Sequence, residues 1–230
     1  PVLKRSVIML KKLLESLKKL GNIGPAFDPA ILNDSVAMQT EWRPLKSGGA
    51  NFKTHKLVEV GYHRLEFRAT VFARIFCMIF LFVGLAVLFF FGLKTIDWQN
   101  LTSNFESALP SLFGLVFAAV GGLLLYFMTK PIVFDKTYGY YWRGRKEPTQ
   151  TYEQSAKKKS APLSDIHAIQ IISEHVSSSK SSYYSYEINL ILHDGTRLNV
   201  IDHGKLSSIR EDTQKLAAFL RVPVWDSVSR

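Results

Sequence analysis

Six histidines, one cysteine and many serines are the side chains of this chain best suited to chemistry. His167 and His175 lie eight residues apart on one expected strand. Their parity puts them on the same face, but at about 3.3 Å per residue they stand roughly 26 Å apart, too far to share a metal. His193 and His203 could meet across a hairpin, with Asp194 and Asp202 beside them. That grouping would suit proton transfer, although polar turn and edge residues are its plainer reading. The single cysteine, Cys77, has no partner for a disulfide and falls within an apolar run, where it serves as a small filler. The sequence has no HExxH, no Gly-x-Ser-x-Gly elbow and no glycine-rich phosphate loop. The expectation is therefore no catalytic, cofactor-binding or metal-ligating residue, and no enzyme.

What would position such residues is set by two apolar runs, 70–93 and 109–129. Each approaches the roughly 20 residues that a helix needs to cross a bilayer core. Neither carries Asp, Glu, Lys or His at its centre, which argues against an ion or proton pathway. Residues 94–108 form a short connection with Trp98 suited to an interface. Residues 1–69 carry 12 Lys/Arg against 6 Asp/Glu, and 129–230 carry 15 against 11, while 94–110 holds one lysine and two acids. Cationic residues near span ends stay on the cytoplasmic side, so both termini are expected there, in a bacterial inner membrane. The opening segment lacks an uninterrupted apolar core, so the first span is expected to act as an uncleaved anchor.

Residues 1–21 read as a basic amphipathic helix. Leu3, Leu10 and Leu17 repeat every seven positions, and Lys4, Arg5, Lys11, Lys12, Lys18 and Lys19 recur on the other side. It could lie on anionic lipid through those six cations, dock on a partner, or cover the C-terminal domain of its own chain. Its basic charge comes with no nucleic-acid-reading motif. Residues 22–54 read as a linker with one short helix near 29–38, because Gly and Pro pairs interrupt any period. Residues 55–69 suggest two short strands about Gly61-Tyr62 that join a later sheet. In the second span Gly114, Ala118 and Gly122 are spaced four apart, which allows close helix packing against the first span or a second subunit.

The region 130–226 reads as strands closed by a helix. Strands are expected at 132–135, 139–143, 166–175, 186–193 and 196–202, with a polar loop at 146–161 and a hairpin turn at Asp194-Gly195. A helix over 206–220 presents Leu206, Ile209, Thr213, Leu216, Phe219 and Leu220 as its buried stripe. The fold class is thus a membrane α-helical hairpin plus an α+β domain of PH-like β-roll type, preceded by the amphipathic helix.

The runs VFDKTYGYYWRGRK (133–146), PLSDIHAIQIISE (162–174) and LAAFLRVPV (216–224) resemble the C-terminal region of the photosystem I assembly factor family. They are equally similar to bacterial membrane proteins with a PH-like tail after a helical hairpin. The basic start and the lysines at 157–159 depart from that pattern. The resemblance implies an accessory, scaffold or assembly role beside a larger membrane complex, or a homo-oligomer. Binding to anionic lipid is the alternative.

The topology carries a direct test. In a Cys77→Ala background, Trp98→Cys is expected to react with an impermeant maleimide added outside intact cells. Reaction only after the cytoplasm is opened would reverse the orientation.

Overall fold

A computed structural model describes residues 27–92, 105–147, 160–177 and 181–228. The basic helix expected over 1–21, with Lys4, Arg5, Lys11, Lys12, Lys18 and Lys19, lies outside the described residues, as does most of the 94–108 connection.

Near the N-terminus Asp28 caps a 3-10 turn at Pro29–Leu32. Asp34 caps α1 (Ser35–Gln39), so the helix expected near 29–38 forms as two pieces. Strand β1 (His55–Glu59) pairs antiparallel with β2 (Arg64–Ala69). Next comes α2 (Val71–Val87), which continues as a wider π-type turn over Leu88–Gly92. A 3-10 turn at Phe105–Ala108 leads into α3 (Leu109–Met128). The chain then forms β3 (Ile132–Asp135), β4 (Tyr140–Arg143), β5 (Ser160–Pro162), β6 (Ile166–Ser177), β7 (Ser182–Leu192) and β8 (Arg197–His203). Helix α4 (Leu206–Leu220) and β9 (Val224–Asp226) complete it.

Among the described residues these strands make two sheets, ordered β1-β2-β3-β4-β5 and β8-β7-β6-β9. Strand β2 hydrogen-bonds to β3, with Leu65 opposite Phe134, so the strands before and after the helical hairpin share one sheet. Two short strands had no sequence counterpart. Strand β5 forms where 146–161 reads as a polar loop, and β9 lies parallel to β6. Each has three residues, too few to show a period. The hairpin turn at Asp194-Gly195 is present. Gly195 has φ of +79°, and Asp194 Oδ1 accepts the Thr196 N–H at 2.9 Å.

The core lies between the two sheets and α4. It is built on Phe67, Phe134, Tyr141, Ile169, Ile171, Ile188, Leu190, Ile209 and Leu216, all almost fully buried. Each large apolar side chain removed from water contributes about 1.5–3 kcal/mol. On the outer face of the first sheet the buried Glu66 is held between Arg64 and Arg68, at 2.7 Å from each.

Helices α2 and α3 are both long and apolar enough to cross a membrane. Their apolar side chains point largely outward: Phe82 is 61 % exposed, Leu123 57 % and Phe127 59 %. Core helices of a soluble domain would bury such residues. The helices touch through small residues. A Cβ on Gly84 would strike the backbone of Ala118 and Gly114, and one on Gly121 would strike Phe80 and Leu81. A Cβ on Gly114 would meet the Leu88 backbone.

Gly122, expected in this contact, is not part of it; a Cβ there would meet nothing within 4 Å. The facing row runs 114, 118, 121 because a helix turns every 3.6 residues, which favours Gly121 over Gly122 as the third member. Gly84→Leu or Gly121→Leu is therefore expected to force the helices apart, at about 1–3 kcal/mol or more for overpacking. Gly122→Leu is expected to leave the detergent-solubilised protein unchanged in thermal unfolding.

Candidate functional site

A concavity lies where α3 meets the second sheet. Its volume is about 320 Å³. Leu124, Phe127 and Met128 form an apolar wall, and Lys46, Lys130, Arg143, His55, Asn199 and Asp202 supply polar groups. Three stretches of chain bring these residues together.

The first is the end of α3. Thr129 Oγ1 donates back to the Leu125 carbonyl at 2.7 Å, and three residues later β3 begins. Lys130 is held there, its ammonium 4.7 Å from the centre of the Tyr126 ring and 4.3 Å from that of Phe127. The second is the sheet register. Arg143 lies opposite Ile132, and its guanidinium donates to the Val200 carbonyl and to the Asn199 carbonyl at 3.3 Å. Asp202 accepts from Asn199 Nδ2 at 2.6 Å.

The third is the segment 27–54. Although it reads as a linker, it crosses the outer face of the second sheet as a pinned strap. Buried polar side chains on that face satisfy its backbone. Glu187 accepts the N–H groups of Leu45 and Lys46, each at 2.9 Å, and Gln170 donates to the Glu41 carbonyl at 3.1 Å. Glu174 accepts the Gly48 N–H at 3.0 Å. Tyr183 and Ser185 donate to the carbonyls of Gly49 and Ala50. Thr54 donates to the Asp202 carbonyl at 3.1 Å. One of the two N–H groups held by Glu187 is that of Lys46, so this acid places the backbone of a cleft lysine.

At its other end the strap is latched by rings and imidazoles. Trp42 packs against Phe27 and Trp225, with ring centres 4.3 and 5.9 Å apart. Asp34 Oδ2 lies 2.7 Å from His167 Nε2, and His167 Nδ1 lies 3.2 Å from His193 Nδ1. Burial pushes the Asp34 carboxyl up, but hydrogen bonds from His167, Val36 and Ala37 outweigh it and hold the group below its ordinary range.

His193 and His203 do not meet, in keeping with the plainer reading of turn and edge residues. His203 pairs with Tyr186 at the far end of β8, while His193 follows β7 next to the turn. Among the described residues no group of three or more metal-donating side chains is gathered. The strap's contribution had no sequence cue, because a Glu, Gln or Asn on alternate strand positions reads as a solvated face. Gly114 and Ala118 come together with Gly84, which the sequence reading did not single out.

Beside the cleft lies a polar group in which His203 and Asp212 are buried and Lys53 and His55 half-buried. Burial first, then the positive charges of Lys53, His55 and Lys205, bring His203 down to about 4. Burial and then Arg143 bring His55 down to about 4, against a hydrogen bond with the Met128 backbone. Burial raises Asp212 despite Lys53, and it raises Glu187 despite the Leu45 and Lys46 N–H groups.

The chain matches no protein-family model, no curated protein and no solved structure. Fold and site together define an α+β domain built around an apolar helical hairpin, with a basic cleft at their junction.

Acid is expected to destabilise this region through the histidines. Folded His203 stays neutral down to pH about 4, whereas an unfolded histidine charges near 6.5. The unfolded chain thus binds more protons in that window, and this stabilisation, complete above pH 6.5, is lost as pH falls toward 4. Glu187 and Asp212, being raised, oppose the trend. His203→Asn offers an amide oxygen in place of the Nδ1 that accepts the Lys205 N–H at 3.2 Å. Between pH 6.5 and 5 the native protein is expected to lose about 2 kcal/mol more than this variant. Parallel unfolding curves for the two would refute it.

Proposed function

We propose that this chain is a non-enzymatic accessory or assembly subunit of a larger membrane protein complex, with both termini cytoplasmic in a bacterial inner membrane. Its soluble part is a PH-like β roll, a reading supported by the antiparallel strands and the C-terminal helix. The hairpin and this domain together form the docking surface.

The supporting observation is the absence of slack between hairpin and domain. Strand β2 ends at Ala69, and Thr70 at once caps α2, accepting the Ala73 N–H at 3.2 Å while donating to the strap carbonyl of Lys53 at 2.9 Å. Phe52 of the strap packs on Phe72 and Phe76 of α2, at 5.5 and 6.2 Å between ring centres. At the other junction Thr129 to Pro131 join α3 to β3. Such a body holds anything docked on the domain at a fixed height and angle to the apolar helices. A subunit that organises a complex can use that geometry.

A second reading is an anionic-lipid binder, favoured by the cleft cations Lys46, Lys130 and Arg143, which form no ion pair with a carboxylate among the described residues. The two readings agree on topology and differ in what the domain contacts.

The full chain, purified in mild detergent, is expected to migrate on native gels with one partner in fixed stoichiometry. A flexible Gly-Ser insertion between Thr129 and Lys130 is expected to abolish that co-migration while membrane insertion persists. A clean monomer, or an association indifferent to the insertion, would remove the scaffold reading.

A further inference from the structure

We infer that the cleft at the foot of α3 binds the phosphate-bearing headgroup of an anionic phospholipid, with the acyl chains left in the bilayer along Leu124, Phe127 and Met128. Charge is the first argument. Lys46, Lys130 and Arg143 line the cleft, and among the described residues none of them forms an ion pair with a carboxylate. The carboxylate on the wall, Asp202, is engaged by Asn199. Arg143 is fixed by the Asn199 and Val200 carbonyls, so its charge is held at the wall and does not sweep through solvent. Charge-assisted bonds to phosphate are the strong class that such a set can offer.

Size is the second. About 320 Å³ stands at the small end of ligand cavities. It accommodates a glycerol phosphate and excludes two acyl chains. A ligand that uses both the cationic and the apolar wall must therefore be amphiphilic with its tails elsewhere, and the apolar wall is the last turn of a helix long enough to span a membrane. Position is the third. Lys130 over Tyr126 and Phe127, and Arg145 5.0 Å from the centre of the Tyr126 ring, form the aromatic and basic belt found where hydrocarbon gives way to headgroups. The cleft opens at that level. Lys46, on the strap, lines it from the domain side.

The assignment rests on α2 and α3 being membrane spans, and the experiment separates the two. The full chain is reconstituted in nanodiscs of phosphatidylcholine with phosphatidylglycerol, and retained lipid is counted by native mass spectrometry after transfer to detergent. Lys46→Gln with Lys130→Gln is compared with the charge-matched pair Lys136→Gln with Lys215→Gln. Bound phosphatidylglycerol is expected to fall about fivefold for each cleft lysine, the equivalent of about 1 kcal/mol per basic residue at an anionic surface. The control pair is expected to retain it. Insertion of every variant with equal retention overturns the lipid site alone. Failure of the unsubstituted chain to enter nanodiscs overturns the spans and the site together. Displacement of the lipid by millimolar inorganic phosphate or glycerol phosphate, with equal protection against unfolding, assigns the cleft to a soluble anion and overturns the lipid.

Discussion

The pairing of β2 with β3 governs this molecule. Neighbouring strands lie about 4.8 Å apart, whereas packed helices normally keep 8–10 Å between axes. The hairpin leaves the sheet from one of these strands and re-enters by the other, with Thr70 on one side and three residues on the other. Its two helices must therefore start almost in contact at the sheet and stay close along their length. Only small residues permit that. Gly84 against Gly114 and Ala118, and Gly121 against Phe80 and Leu81, bring backbone to backbone. The sheet's hydrogen bonds and the helices' glycines are thus two expressions of one constraint.

A second consequence concerns polar accounting. Backbone groups covered by neighbouring chain need partners. The strap over 27–54 forms no strand, so its backbone is not satisfied through a ladder. Its partners are side chains on the sheet beneath it: Gln170, Glu174, Tyr183, Ser185 and Glu187. Burying Glu187 is costly, and its raised titration reflects that. The compensation is two backbone N–H bonds and one from Asn189 at 3.0 Å. Glu174 and Glu187 of this sheet thus serve the strap, each accepting backbone N–H groups from it.

What the sequence made legible followed from periods and strong local chemistry. The apolar helices stand out by hydropathy, α4 by its 3.6-residue stripe, and the β7–β8 turn by Asp194-Gly195. The pairing of 55–69 with the later sheet followed from the rule that two short strands are unstable alone. The missed features needed contacts distant in sequence. Asp34 sets His167 and so gathers His193 to it, across 133 positions of chain. Choosing Gly122 over Gly121 came from counting in fours, when the helix's own turn alternates three and four. Strands β5 and β9 are legible only from the neighbours they pair with.

The strap also joins regions that otherwise have no shared element. Its Trp42 end is held by the outer face of β6 and β9, and its Phe52 end sits on the first turns of α2. Between them Glu187 fixes the backbone of Lys46 at the cleft. The cleft is therefore assembled from a helix end, a sheet edge and a strap, no two of which could form it. A one-residue shift of the strap that brought Pro44 opposite Glu187 would put a residue without an N–H there, leave a buried carboxylate short of a donor, and move Lys46. Such a loss costs about 1–3 kcal/mol for each donor or acceptor left unpaired. The position of the cleft charge is thus set by the same hydrogen bonds that keep the strap in register.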